Sequence, residues 1–346
     1  TTARAAPLLD GLAAQGIDYV TFSVTGEPTT EVARLGTQRA REEHCDLVIG
    51  FGGGSVLDTG KAIAALLTNG GVPLDYLEVI GRGQPLTQPS APCIAIPTTA
   101  GTGAEVTRNA VLASPAHRVK VSLRSPLMLP RLALVDPELT HTMPPEITAS
   151  TGLDALTQVM EPYVSKRANP LTDTLCREGM RRAARSLRRA YEQGDDAAAR
   201  EDMALASLFG GLALANAKLG VVHGFAGPVG GMFPAPHGAV CASLLPHAMA
   251  VNVRALQERL PESEALRRYD EIARILTMSD KATAGDGVAW VQELCQALQV
   301  PPLASYGMTT ADFPVLIEKG SISSSMQGNP IRLTADEMRE ILTRAL

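Results

Sequence analysis

Four side chains in the second half of the chain could converge on a divalent cation: Asp154, Gln158, His223 and His237. Asp154 and Gln158 lie one helical turn apart in ITASTGLDALTQVMEPYV, so they share a face. His223 sits in the apolar, helix-like GVVHGFAGPVGG. His237 follows fourteen residues later, beyond Pro228, Pro234 and Pro236, so the two histidines cannot share an unbroken helix. His237 instead opens the next helical pattern, HGAVCASLLPHAMAVN. A carboxylate and imidazoles delivered from separate elements suit a divalent metal that keeps a position open for substrate. Spacing alone leaves their meeting open, because a histidine on an apolar helix is more often a hydrogen-bonded core residue. His44, His117 and His141 lie in loop-like or polar contexts and receive no role, and His247 in LLPHAMAVN reads as structural.

A second kind of chemistry is written in the glycine turns. Phe51-Gly52-Gly53-Gly54-Ser55 stands between a strand-like and a helix-like segment. Glycines there let the backbone approach a ligand closely, and the following helix N-terminus offers free N–H groups and a positive dipole end. A pyrophosphate is the natural occupant, although the turn is neither the GxGxxG fingerprint nor a P-loop. Thr98-Thr99-Ala100-Gly101-Thr102-Gly103 follows a second strand-like run, where hydroxyls and glycines suit phosphate or ribose.

The elements that must hold these groups fall into two regions. Up to about residue 142, short apolar runs (IDYVTFSV, DLVIGF, PCIAIP, RLALVDP) alternate with helical patterns (ARAAPLLDGLAAQG, TEVARLGTQRAREEH, GGGSVLDTGKAIAALL). That alternation predicts a parallel α/β sheet. VTRNAVL and RVKVSL, joined by the turn-rich ASPAH, predict a pair of strands. After Pro144-Pro145 helical periodicity takes over to the end of the chain. The 346 residues suit two domains, and 45% hydrophobic with 19% charged residues is a globular balance.

A net charge of −5 gives no reason to expect a nucleic-acid or anionic-membrane partner. The basic run Arg181, Arg182, Arg185, Arg188 and Arg189 has helical spacing with Glu178 and Glu192 beside it, and reads as a solvated helix face. No stretch reads as a membrane span. Five cysteines without CxxC pairing favour a reduced compartment, so a soluble cytoplasmic protein is expected.

Taken together, GGGSVLDTGKAI, IPTTAGTGAEVTRNAV, GLDALTQVMEPYVS, GVVHGFAGPVGGMFPAPHGAVCASLLPH and SSSMQGNP resemble the iron-containing (group III) alcohol dehydrogenase family, in that family's order and over nearly the whole chain. The resemblance implies the dehydroquinate synthase-like architecture. An α/β dinucleotide-binding domain would span residues 1–142, and an all-α metal-binding and substrate domain residues 143–346, with the metal in the cleft between them. It implies hydride transfer between NAD(P) and a primary or secondary alcohol, or the matching aldehyde or ketone. Gly53, Gly54, Ser55 and Asp58 fall on the pyrophosphate turn, and Thr98, Thr99 and Thr102 on the second nucleotide loop. Asn109 and Lys120 match positions nearer the nicotinamide and its ribose. Asp154, His223 and His237 fall on metal-ligand positions and would act in catalysis through the metal, iron or zinc. NAD is the family's commoner cofactor and is expected over NADP, and a homodimer is usual.

Three departures qualify the resemblance. Gln158 stands where the family usually has a fourth, histidine ligand; its amide oxygen can coordinate, though less well than imidazole. Glycerol dehydrogenases, distant relatives, resemble this pattern in holding zinc with one Asp and two His. Gly227 replaces a histidine often found near the nicotinamide, so water, a substrate hydroxyl or the ribose would carry the proton, unless the change enlarges the pocket. The family's leading β-hairpin and first nucleotide-fold strand, with the acidic residue that selects NAD, are expected upstream of the segment read here. A glycerol-dehydrogenase-like polyol enzyme, a metal-independent reductase of the same fold and an inactive scaffold member all stay open as alternatives. Dehydroquinate synthase activity is disfavoured, because no dense set of lysines and arginines suits its phosphate substrate.

Overall fold

The computed structural model describes residues 3–346, which form two compact units. The first runs up to Thr99 and includes Ala104–Thr140; the second comprises Ala100–Gly103 and His141–Leu346.

In the first unit, helices α1 (Ala6–Ala14) and α2 (Thr30–Glu42) precede strand β1 (Val48–Gly52) and helix α3 (Gly54–Asn69). A short α4 (Pro73–Tyr76), β2 (Cys93–Pro97), β3 (Asn109–Ser114), β4 (Val119–Arg124) and β5 (Leu132–Ala133) complete it. β1, β2 and β5 make a parallel sheet in the order β1-β2-β5, with Val48 opposite Cys93 and Gly52 opposite Pro97. Such strands are covered on their faces, and α3 accordingly buries the run from Thr59 to Leu66. Gly52 ends β1 where α3 turns back on it: a Cβ there would stand 2.5 Å from Cγ2 of Val56, so only glycine lets strand and helix meet this closely.

β3 and β4 form an antiparallel hairpin, as the paired apolar runs predict, with Asn109 opposite Arg124. The strand predicted over Ile17–Val24 is not formed; these residues are irregular. A β-propensity run becomes a strand only with a hydrogen-bonding neighbour, and among the described residues none pairs with it. Its side chains are correspondingly open, with Tyr19 49% and Phe22 40% exposed.

The second unit is helical: α5 (Pro145–Val164), α6 (Pro170–Glu192), α7 (Ala197–Asn216), α8 (Val221–Met232), α9 (His237–Arg259), α10 (Glu264–Thr277), α11 (Ala284–Ala297), α12 (Phe313–Ser321) and α13 (Ala335–Ala345). α5 starts at Pro145, whose fixed φ and missing N–H suit a first helical position. It is the central helix, buried continuously from Gly152 to Val164. Although no stretch of the sequence reads as a membrane span, α9 contains an 18-residue stretch apolar enough, by length and composition, to cross one. In the fold 83% of that stretch is buried inside the protein, so its apolarity serves the core.

The basic run on α6 is ion-paired. Arg182 and Arg185 both reach Asp202 of α7, Arg188 pairs with Glu192, Arg189 with Asp196, and Arg181 with Glu178.

Candidate metal centre

The second unit places its ionisable donors through three helices. α5 carries Asp154 and, two turns on along the same face, Glu161. α8 begins after Gly220, and its first free N–H groups are taken by side chains from elsewhere in the unit. Val221 N donates to Oδ1 of Asn329 at 3.1 Å and Val222 N to Oε1 of Glu161 at 2.8 Å. Gly220 is required there, since a Cβ would come within 2.8 Å of Glu161 Oε1 and 3.0 Å of Asn329 Oδ1. Asn329 is itself fixed by donating to Asn252 Oδ1 and to the Ile331 carbonyl, each at 2.8 Å. α9 opens with His237, and Gly238 lets that end press against α5: a Cβ would lie 2.6 Å from the Ser150 carbonyl oxygen.

These constraints aim one atom from each residue at a common point. His223 Nε2 lies 3.3 Å and His237 Nε2 3.9 Å from Asp154 Oδ1. Cys241, one turn after His237 on α9, brings its Sγ to 3.9 Å from His223 Nε2 and 3.8 Å from His237 Nε2. All four donor atoms fall within 4.8 Å of one another. Glu161 Oε2 stands 2.8 Å from His223 Nδ1. A carboxylate only accepts, so Nδ1 carries the hydrogen, and Nε2 facing Asp154 offers a lone pair once its own proton is given up.

The electrostatics call for positive charge. Asp154 is 1% exposed, and its Oδ1 has no hydrogen-bond donor. Leaving a buried carboxylate oxygen unpaired is costly. Burial opposes charge on Asp154, yet His237 and His223 beside it hold its carboxyl below the usual carboxylate range. Burial likewise opposes charge on the imidazoles, but Cys241 and Asp154 beside them reverse the outcome. The proton is held to about pH 9 on His237 and well above the ordinary range on His223. Two imidazole nitrogens with raised proton affinity, a carboxylate held in its charged form and a thiol sulfur around one point fit a divalent cation.

Of the residues singled out in the sequence, Asp154, His223 and His237 are thus brought together. Gln158 is adjacent on α5, but its Nε2 donates to the Thr102 carbonyl at 2.8 Å, which ties the amide to the 100–103 loop of its own unit. Thr102 therefore belongs to the helical unit, whereas the other predicted nucleotide residues belong to the first. Those begin at the C-terminal ends of the neighbouring strands β1 and β2. Gly53 precedes the first turn of α3, which holds Gly54 and Ser55, and Thr98 N donates to the Gly52 carbonyl at 2.9 Å. A Cβ on Gly53 would lie 3.3 Å from the Thr99 side chain, so the two turns touch.

Asp58 braces the unit from within: it accepts from Val111 N at 2.9 Å and pairs with Lys61 at 2.8 Å. Asn109 opens β3, and Lys120 of β4 pairs with Glu27 at 3.1 Å. Sequence reasoning missed Cys241 and Glu161. The signals were present: Cys241 follows His237 at i+4, and Glu161 follows Asp154 at i+7, both same-face spacings.

Residues 1–137 match the family described as iron-containing alcohol dehydrogenase, and residues 148–346 match the C-terminal part of the Fe-containing alcohol dehydrogenase family. The chain is 37% identical to a 1,3-propanediol dehydrogenase of Citrobacter freundii, over 95% of this chain and 84% of that one. It is 36% identical to alcohol dehydrogenase 4 of Schizosaccharomyces pombe, over 93% of this chain and 74% of the relative. Among solved structures it is similar to an alcohol dehydrogenase from Oenococcus oeni, with a TM-score of 0.90, 32% identity, and coverage of 99% and 88% of the two chains.

An α/β unit with paired glycine turns and a helical unit with a buried Asp/His cluster define a metal-dependent oxidoreductase of alcohols. The chain belongs to the iron-containing alcohol dehydrogenase family. Membership implies a divalent metal and a nicotinamide cofactor.

Proposed function

We propose that the protein interconverts small alcohols, diols included, with their carbonyl products, using NAD and a divalent ion held by Asp154, His223 and His237. The observation that carries this is the buried Asp154 Oδ1, left without a donor and faced by two imidazole nitrogens. The inclusion of diols leans on relatives named for 1,3-propanediol in Citrobacter freundii and Klebsiella pneumoniae. When bound, the ion supplies Lewis acidity, which stabilises the alkoxide form of an alcohol or polarises a carbonyl.

The chain's own residues do the positioning. Glu161 fixes the tautomer and ring angle of His223, and α9, seated on α5 through Gly238, holds His237 at its first turn. His237 is the accessible member of the cluster, its side chain 33% exposed against 5% for His223, so substrate oxygen would enter from its side. Gly53, Gly54 and Ser55 at the start of α3, with Thr98 and Thr99 beside them, would seat the dinucleotide phosphates against free N–H groups. Asn109 and Lys120 on the hairpin would lie towards the nicotinamide end. A homodimer in the cytoplasm completes the proposal; five free thiols favour a reducing compartment.

NADH formation with a panel of small alcohols and diols, before and after metal removal, tests this. Turnover that requires metal and prefers NAD is expected. Turnover unchanged after complete metal removal would contradict the metal role, and a clear preference for NADP would contradict the cofactor.

A further inference from the structure

We propose that Cys241 is a metal ligand, its thiolate completing an Asp-His-His-Cys donor set at the site assigned above to Asp154, His223 and His237; the inference rests on that assignment. The Sγ of the fully buried Cys241 stands 3.9 and 3.8 Å from the two imidazole nitrogens and within 4.8 Å of the Asp154 carboxylate. Metal–nitrogen and metal–oxygen bonds of about 2.0–2.1 Å with a metal–sulfur bond of about 2.3 Å put tetrahedral donors about 3.3–3.6 Å apart. The four separations that link Asp154 and Cys241 to the two imidazoles, 3.3 to 3.9 Å, need only a few tenths of an ångström of contraction around an ion, and the whole donor set lies within 4.8 Å.

The second observation is independent of the cysteine: Asp154 Oδ1, 1% exposed at the residue level, points into the same cluster without a donor. Gln158 supplies no competing group from its amide nitrogen, which is bonded to Thr102.

Binding is a ligand exchange without redox change. The Cys241 S–H bond breaks, its proton leaves to solvent, and the sulfur lone pair forms the metal–sulfur bond while the ion keeps its divalent state. A thiolate is a softer donor than the imidazoles and carboxylate it stands beside, so the site should prefer zinc to iron(II) more strongly than an oxygen–nitrogen set would. A closed four-ligand set also means that substrate must add as a fifth ligand or displace one.

Cobalt(II) substitution of the full chain tests the assignment without reference to turnover. Wild-type protein should show the intense visible bands of a tetrahedral site together with a near-ultraviolet thiolate-to-cobalt charge-transfer band. Cys241→Ser and Cys241→Ala should keep cobalt and lose only the charge-transfer band. Zinc affinity in Cys241→Ala should fall at least ~10-fold, on the scale of losses seen even for groups beyond the ligands. Visible bands with no charge-transfer band in the wild type, or a band that survives both substitutions, would overturn the proposal and leave the Asp/His site standing. A wild-type protein that takes up no cobalt at all would overturn both.

Discussion

Glu161 braces His223, one of the proposed ligands, from the side away from Asp154. It spends one carboxylate oxygen on His223 Nδ1 and the other on the first turn of α8, so a single side chain sets both the tautomer of the ligand and the position of its helix. Glu161→Ala should weaken metal binding by about 10–100-fold, or about 1.4–2.8 kcal/mol, in competition with a chromogenic chelator. Affinity equal to wild type would show that His223 needs no such brace. Protons compete for the same nitrogens. In the metal-free protein the histidine pKa values are raised, so the stabilisation their protonation gives is full below the ordinary value of about 6.5 and is lost as pH rises through about 9 for His237. Metal binding expels those protons, and its apparent affinity should therefore climb with pH from neutrality to at least about 9. A flat affinity between pH 7 and 9 would count against that competition.

The helices and their joints carry the next level. Gly220→Ala would force a methyl against Glu161 and Asn329 at the start of α8, and should cost about 1–3 kcal/mol in denaturant unfolding while also weakening metal binding. A variant as stable as wild type would mean that this joint yields freely. Much of this level was legible in the sequence. The helical stretch after Pro144-Pro145, the proline break between His223 and His237, and the helix shared by Asp154 and Gln158 all follow from periodicity and proline stereochemistry. The joints were not. Asn329 caps α8 from 108 residues away, a pairing that no local pattern encodes. The run Ile17–Val24 has the composition of a strand, yet strands are made by neighbours, and composition does not supply one. Cys241 escaped notice because the proximity of a thiol to two imidazoles depends on how α8 and α9 meet.

On the scale of the whole chain, the second unit is a large helical core built around a cluster of polar donors, and the first is a small parallel sheet with a hairpin. A core that buries the Asp154 carboxylate beside two imidazoles would be stabilised by a cation that neutralises it. Zinc at about 100 times its dissociation constant should add about 2.7 kcal/mol to the folded state, seen as a rise in melting temperature that a chelator reverses. His223→Ala should show no such rise. The α6–α7 ion pairs add a separate acid sensitivity. Burial opposes charge on Asp202, but Arg185, Ser186 and Arg182 hold its carboxyl below the usual range. Its contribution to stability is therefore present above the unfolded carboxylate value and lost as pH falls through the lower folded one.

The central claim is that Asp154, His223 and His237 hold the ion on which alcohol oxidation depends. Elemental analysis of metal per chain, followed in the same samples as alcohol-dependent NADH formation through graded chelation, tests it most directly. Activity should fall in proportion to bound metal and return on readdition, and His223→Ala should retain neither. Full NADH formation by protein stripped of metal would contradict the claim.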